Sequence, residues 1–145
     1  MTNQQIWDTR YLQMASLVAT FSKDPSTQVG AVCVDSKKRV LGVGFNGFSR
    51  NTEDDSRLNI REQKYKMILH GEHNCLMNCS GNTEGATMYV THPCCNHCCA
   101  IMDQYGIKRV VFEEPSPEFK TRWDLSETLK YLDELGIEVS MYKRV

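Results

Sequence analysis

The stretch HGEHNCLMNCSGNTEGATMYVTHPCCNHCC, residues 70–99, decides the reading of this chain. It opens on His70-Gly71-Glu72 and closes on Pro93-Cys94-Cys95-Asn96-His97-Cys98-Cys99. Glu72, Cys75, Leu76 and Cys79 stand at i, i+3, i+4 and i+7, the spacing of one inward helix face over His70–Cys79. Ser80-Gly81-Asn82 stops that helix, Ala86–Thr91 reads as a strand, and residues 95–105 read as the next helix, capped by Gly106. Two helices therefore begin at segments rich in histidine and cysteine, where backbone N–H groups point outward.

Working outward, residues 5–21 carry Trp7, Tyr11, Met14, Leu17, Val18 and Phe21 at helical spacing, and Asp24-Pro25-Ser26 breaks the pattern. Val29–Val34 and Val40–Phe45, joined by Asp35-Ser36-Lys37-Lys38, read as an antiparallel hairpin. A polar loop follows Asn46-Gly47 and runs through Asp54 and Asp55; loops of this length are often functional, although a plain surface loop fits equally well. Residues 57–67 read as a short helix. Beyond the central stretch, Lys108–Glu113 is a strand, Pro115 and Pro117 mark a loop, Asp124–Leu135 is a helix ended by Gly136, and Ile137–Tyr142 is the last strand. The order predicts an α/β chain of one domain over 1–145. Its mixed five-stranded sheet is covered by helices on both faces, the first two strands antiparallel and the later ones parallel through right-handed crossovers.

The net charge of −1 gives no electrostatic argument for nucleic acid or a membrane surface. No apolar run approaches the ~18 residues of a membrane span, and no leader pattern opens the chain, so a soluble cytoplasmic protein is expected. Of seven cysteines, four crowd into residues 94–99, too tight for an ordinary disulfide framework. Metal binding is the better explanation.

One imidazole, one carboxylate and a knot of thiols are the parts of a zinc site that also performs acid–base chemistry. A catalytic zinc takes three protein ligands and leaves a position for water; His70 and two cysteines supply the three. Glu72 then sits two residues from the imidazole, free to move protons. H-x-E followed at a distance by P-C-x-x-C is the signature of zinc nucleobase deaminases. The main alternative is a structural zinc in an interaction module. That reading calls for four protein ligands and a short interval between them, and gives Glu72 no task. Several sulfur registers are arithmetically open: Cys94 with His97, Cys95 with Cys98, and Cys95 with Cys99. Cys98, Ile101, Met102 and Tyr105 form an inward stripe that Cys95 joins, while His97 and Cys99 fall in rows with Gln104 and Asp103 and should face outward. The ligands are therefore expected to be His70, Cys95 and Cys98. Cys33, Cys75 and Cys79 read as small core side chains, His73 as a solvated helix residue, and His92 as a loop residue near the site.

Together, Lys23-Asp24-Pro25-Ser26-Thr27-Gln28-Val29-Gly30-Ala31, Gly44-Phe45-Asn46-Gly47-Phe48, His70-Gly71-Glu72-His73-Asn74, Met88-Tyr89-Val90-Thr91 and Gly106-Ile107 resemble the cytidine/deoxycytidylate deaminase superfamily, specifically its dCMP branch, from about Ser22 to Phe112. The resemblance implies a three-layer α-β-α fold and zinc-dependent hydrolysis of dCMP to dUMP and ammonia. Cytidine, guanine or adenosine in tRNA are the other substrates of the class. It implies that Asn46 contacts the deoxyribose and that the backbone of Gly71, where alanine is usual, meets the base. Counting back from Gly106, the family register also places the zinc cysteines on Cys98 and Cys95. Cys94 then stands where the family has proline. The chain looks too short for a second, structural zinc. Lys23, Ser26 and Thr27 are candidates for the 5′-phosphate. The resemblance further implies a homo-oligomer, commonly a hexamer. It implies control by dCTP and dTTP with Mg²⁺ through the loop after Gly44-Phe45-Asn46-Gly47, with Asp54 and Asp55 as acidic candidates.

Overall fold

The computed structural model describes residues 1–144. Five strands form one sheet in the order β2-β1-β3-β4-β5: β1 Gly30–Val34, β2 Val40–Phe45, β3 Thr87–Val90, β4 Arg109–Glu113 and β5 Glu138–Tyr142. β1 pairs antiparallel with both β2 and β3, whereas β3–β4 and β4–β5 are parallel. The hairpin and the later parallel pairs agree with the sequence reading.

Successive side chains of a strand point to opposite faces, and here each face has its own core. Val32, Val34, Tyr89 and Val111 meet Tyr11, Leu12 and Ala15 of α1 (Asn3–Ala19). Ala31, Cys33, Met88, Val110 and Phe112 meet the opposite layer. That layer consists of α3 (Gly71–Asn78), α4 (Asn96–Gln104) and α6 (Leu125–Glu134), while α2 (Arg61–Met67) and α5 (Pro117–Arg122) sit at the margins.

Two glycines let helices lie directly on the hairpin. A Cβ on Gly30 would sit 2.0 Å from the Ala15 carbonyl oxygen, and one on Gly44 would sit 2.2 Å from the Cys75 backbone nitrogen. α1 is held by a second device. Asp8 is wholly buried; its carboxylate accepts two bonds from the Arg109 guanidinium (2.9 and 2.7 Å), the Tyr89 hydroxyl at 2.7 Å and the Tyr142 hydroxyl at 2.6 Å.

These contacts correct the predicted face of α1. The helix starts at Asn3, with a capping box between Thr2 and Gln5, and ends at Ala19 rather than Phe21. Asp8, Tyr11, Leu12, Ala15, Val18 and Ala19 face inward, while Met14, Leu17 and Phe21 are exposed. The small residues Ala15 and Ala19 fit against Gly30, and the buried ion pair fixes the rotation. Two expectations for α4 also fail. Cys99 is fully buried, and Tyr105, expected inward, is 38% exposed. α4 packs on the sheet between α3 and α6, so its buried arc widens to take Cys98, Cys99 and Met102 together. The stretch around Pro115 and Pro117, expected to be a loop, contains α5, with Ser116 as N-cap and Pro117 in its first turn. Residues 57–67 divide into a 3₁₀ turn, Ser56–Asn59, and α2.

Candidate active site

His70 is the N-cap of α3 and Cys95 the N-cap of α4. The two helices start side by side, which brings together ligands 25 residues apart in sequence. His70 Nδ1 lies 3.2 Å from Cys98 Sγ and 3.4 Å from Cys95 Sγ. A tetrahedral zinc, with bonds of ~2.1 Å to nitrogen and ~2.3 Å to sulfur, holds N and S about 3.6 Å apart. The two N···S separations are within about 0.4 Å of that value, and the ligand atoms of all three residues lie within 4.8 Å of one another. Among the described residues they are the one group of three or more His, Cys, Asp or Glu side chains whose ligand atoms converge in this way. The Cys98 backbone N–H points at Cys95 Sγ, 3.4 Å away, supporting a thiolate there. Hydrogen bonding from Cys98 and His70 pulls the Cys95 thiol down to about 4 against the pull of burial. The hydrogen bond with Cys95 raises His70. Cys94, in the position next to the ligands, is buried and its thiol is pushed well up by that burial. His97 is exposed and Cys99 packs in the core.

Glu72 is one residue into α3 and 4% exposed. Burial pushes its carboxyl above the usual carboxylate range, opposed by the Cys98 and His70 interactions. It faces a cavity of about 560 Å³ that also exposes His70, Gly71 and Cys95. The opposing walls come from Ser26, Thr27 and Asn46, from Arg61, Lys64 and Tyr65 of α2, and from Phe119 and Trp123.

Asn46 is held by its neighbours: Nδ2 donates to the Thr27 carbonyl (2.8 Å) and to Asp24 Oδ2 (3.3 Å), and Oδ1 accepts from Val29 N–H at 2.8 Å. Asp24 in turn accepts from the buried Lys64 ammonium at 3.1 Å, and Lys64 also donates to Ser26 Oγ at 2.8 Å. Lys23 lies elsewhere: it pairs with Asp54 at 3.0 Å and lines a neighbouring cavity. His92 lines the first cavity; its ring lies 5.4 Å from Phe119 at a tilt of 54°, and Phe119 stands 5.8 Å from Trp123. Burial, then Arg144, lowers His92 to about 4, so it is neutral at ordinary pH.

The sequence reading missed Arg61, Lys64, Tyr65, Phe119 and Trp123. The first three stand at i, i+3 and i+4 on a short helix and the last two at i and i+4, so each set shares a face. Only the neighbouring chain shows that those faces look into a cavity.

The family model for the cytidine and deoxycytidylate deaminase zinc-binding region matches residues 5–114. The chain belongs to this deaminase family. An uncharacterized deaminase of Aliivibrio fischeri is 38% identical over 136 residues, 92% of each chain. The deoxycytidylate deaminase of Mus musculus is 37% identical over 113 residues, 73% of this chain and 64% of the mouse protein. The fold matches the dCMP deaminase of cyanophage S-TIM5, solved in complex with dCMP and dUMP, with a TM-score of 0.77 at 23% identity over 97% of this chain and 98% of that one. The His70, Cys95 and Cys98 group of this deaminase lies within the matched zinc-binding region.

Proposed function

We propose that the protein hydrolyses dCMP to dUMP and ammonia, in the cytoplasm, supplying dUMP for thymidylate synthesis. The observation that carries the proposal is the buried Glu72 carboxyl beside the convergent His70, Cys95 and Cys98, facing a nucleotide-sized cavity with cationic groups in its wall. His70, Cys95 and Cys98 would hold a zinc ion, which when bound lowers the pKa of a coordinated water towards ~7.

The chain's own residues do the remaining work. A Glu72 oxygen takes one proton from the water as its oxygen adds to the amine-bearing carbon and passes it to the adjacent ring nitrogen; it then takes the remaining hydroxyl proton and delivers it to the amine, which leaves as ammonia while the oxygen stays as the carbonyl. Its raised proton affinity suits a group that must hold a proton between transfers. The backbone of Gly71, buried in the cavity wall, is in place to meet the base edge. Asn46 has spent both amide protons and one Oδ1 lone pair on the protein, leaving one lone pair for a deoxyribose hydroxyl. The 5′-phosphate is assigned to Arg61, the third proton of the Lys64 ammonium and the Thr27 hydroxyl; the Ser26 hydroxyl, proposed from the sequence, has its proton on Asp24 and serves to hold Lys64. Lys23 is replaced in that role because its charge is turned to Asp54.

The regulatory reading attaches to a second cavity of about 550 Å³, lined by Phe48, Lys23, Arg50 and Asp54 and sharing Asp24 and Asn46 with the first. A dCTP or dTTP with Mg²⁺ bound there would act on the substrate site through those two shared side chains. Of the loop carboxylates, Asp54 borders this cavity, whereas Asp55 caps the 3₁₀ turn and pairs with Arg57. Gly44 lies under α3 instead. A homo-oligomer, commonly a hexamer in this family, is part of the same proposal. Nothing in the charge points to nucleic acid, and among the described residues no helix is long and apolar enough to cross a membrane.

Ammonia release from dCMP, deoxycytidine, guanine and tRNA, with and without dTTP, tests the proposal. kcat/KM for dCMP should exceed that for deoxycytidine by at least ~10-fold, the worth of one charge-assisted phosphate contact. Equal values would refute the monophosphate assignment.

A further inference from the structure

Three cysteines outside the candidate site gather around one glycine. Cys33 lies opposite Gly42 in the β1–β2 register. Cys75 Sγ approaches the Gly42 carbonyl oxygen at 3.4 Å. A Cβ on Gly42 would sit 2.9 Å from the Cys79 Cα. The end of α3 thus rests on the hairpin with Cys33 and Cys75 buried beneath it and Cys79 half-exposed at the rim. No step of the deamination uses these thiols.

We propose that Cys79 is a peroxide-reactive thiol that closes a reversible disulfide with one of the two buried thiols, Cys33 or Cys75. The neighbouring Cys75 and Cys33 thiols draw the Cys79 thiol down to about 7, against burial. Cys33 and Cys75 are both shifted upward, Cys33 chiefly by burial and Cys75 chiefly by the neighbouring Cys79 sulfur. The half-exposed member is therefore the most readily ionised of the three and the buried members hold their protons more tightly, which is the division of labour between an attacking and a resolving thiol. A thiol with pKa near ambient pH is also close to the optimum for such attack. Among the other cysteines, Cys95 and Cys98 are assigned to the metal, and burial raises Cys94 and Cys99.

The chemistry balances with hydrogen peroxide as the oxidant. The Cys79 thiolate attacks one peroxide oxygen, the O–O bond breaks, and sulfenic acid and hydroxide result. The buried thiol then attacks the sulfenic sulfur; the S–S bond forms, the S–O bond breaks, and a second hydroxide leaves, taking up the thiol proton as water. Two thiols are oxidised and one peroxide is reduced to two waters once the medium protonates the first hydroxide. The bond ties the helix that carries Glu72 either to strand β1 of the hairpin or across its own last turn.

The test treats zinc-loaded protein with a small molar excess of hydrogen peroxide, blocks free thiols, and maps peptides by mass spectrometry beside a zinc assay. The expected product has lost about 2 Da, the two thiol hydrogens, at a Cys79–Cys33 or Cys79–Cys75 link. Zinc is retained, and dithiothreitol reverses the change. Cys79→Ser should abolish the link while leaving zinc content unchanged, and Cys79→Ala provides the same reading should the serine variant fold poorly. Cys33 and Cys75 both fully alkylated after treatment, or oxidation confined to residues 94–99, would overturn the proposal.

Discussion

Lys64→Met is the most informative single substitution, because it tests packing and substrate placement at once. Lys64 and Asp24 are each 6% exposed, and their ion pair is 3.1 Å long. Removing one partner of a buried pair typically costs ~3–5 kcal/mol, since the other charge is left uncompensated. Asp24 keeps substantial compensation: it accepts from Ser26 N–H at 2.9 Å, Thr27 N–H at 3.3 Å, Ser26 Oγ at 2.9 Å and Asn46 Nδ2 at 3.3 Å. The expected loss is therefore about 2–3 kcal/mol, below the full range. Urea unfolding at constant free zinc, followed by circular dichroism, measures it. Asp24→Asn and the double mutant complete a cycle in which the double mutant is less destabilised than the sum by about 2 kcal/mol. The pH dependence has a definite sign. Burial alone would raise Asp24, but hydrogen bonds from Ser26 and Lys64 overcome it and hold the carboxyl below its usual value. Its contribution is thus complete above the unfolded pKa of ~3.9 and is lost as pH falls through the lower folded value. Lys64→Met should shrink that acid-side loss and raise KM for dCMP more than it lowers kcat, because the substrate phosphate loses the Lys64 ammonium while Asn46 keeps its bonds to Thr27 and Val29. Single-mutant effects additive to within ~0.5 kcal/mol would refute the claim that the pair is energetically coupled.

Glu72→Gln should keep zinc and fold and lose ~10²–10⁴ in kcat, the usual worth of a general acid–base group; zinc loss on metal analysis would make Glu72 a ligand instead. Cys95→Ala and Cys98→Ala should each abolish stoichiometric zinc, whereas Cys94→Pro and His97→Ala should retain it. The buried Cys99→Ala should also retain zinc, at a cost of about 1 kcal/mol in stability for the lost sulfur contacts. Asp8→Asn should lower stability at pH 7: burial would raise this carboxyl, but Arg109, Tyr142 and Tyr89 draw it down to about 2. Measured against an unfolded value of ~3.9, that contributes about 2.5 kcal/mol above pH ~4, lost as pH falls towards 2. Identical acid unfolding profiles for wild type and Asp8→Asn would rule this out.

The alternation of strands and helices was legible because apolar periodicity differs between them, and the hairpin was bounded by Asp35–Lys38. The convergence of Cys95 and Cys98 on His70 was legible for a related reason: a helix face forces the two sulfurs to one side. What stayed hidden was decided by the neighbours of a segment. Nothing local says that Asp8 is buried, because its guanidinium and phenol partners lie on β3, β4 and β5; yet that ion pair helps turn α1 so that Met14 and Leu17 face outward. Lys64 is similar, a lysine whose burial depends on Asp24, 40 residues earlier. α5 was obscured by reading Pro117 as a breaker, although Ser116-Pro117 is equally a helix start. Cys99 was placed by its own helix alone, and the packing of α4 against two other helices overrode that.

α3 lies on Gly44 with no side chain between helix and strand. The separation of the two ligand segments is therefore set by the sheet and not by the peptide that joins them. Gly81 and Asn82 are exposed at the tip of the joining turn, while Ser80 N–H on Leu41 and Thr83 Oγ on the Tyr105 carbonyl pin its shoulders. Doubling such a loop costs only ~0.6 kcal/mol in closure entropy. The interval between H-x-E and C-x-x-C is consequently a free variable, one that insertion can lengthen while the three donors keep their places. Kinship in this architecture is better sought in the two helix starts than in any fixed count of residues between them.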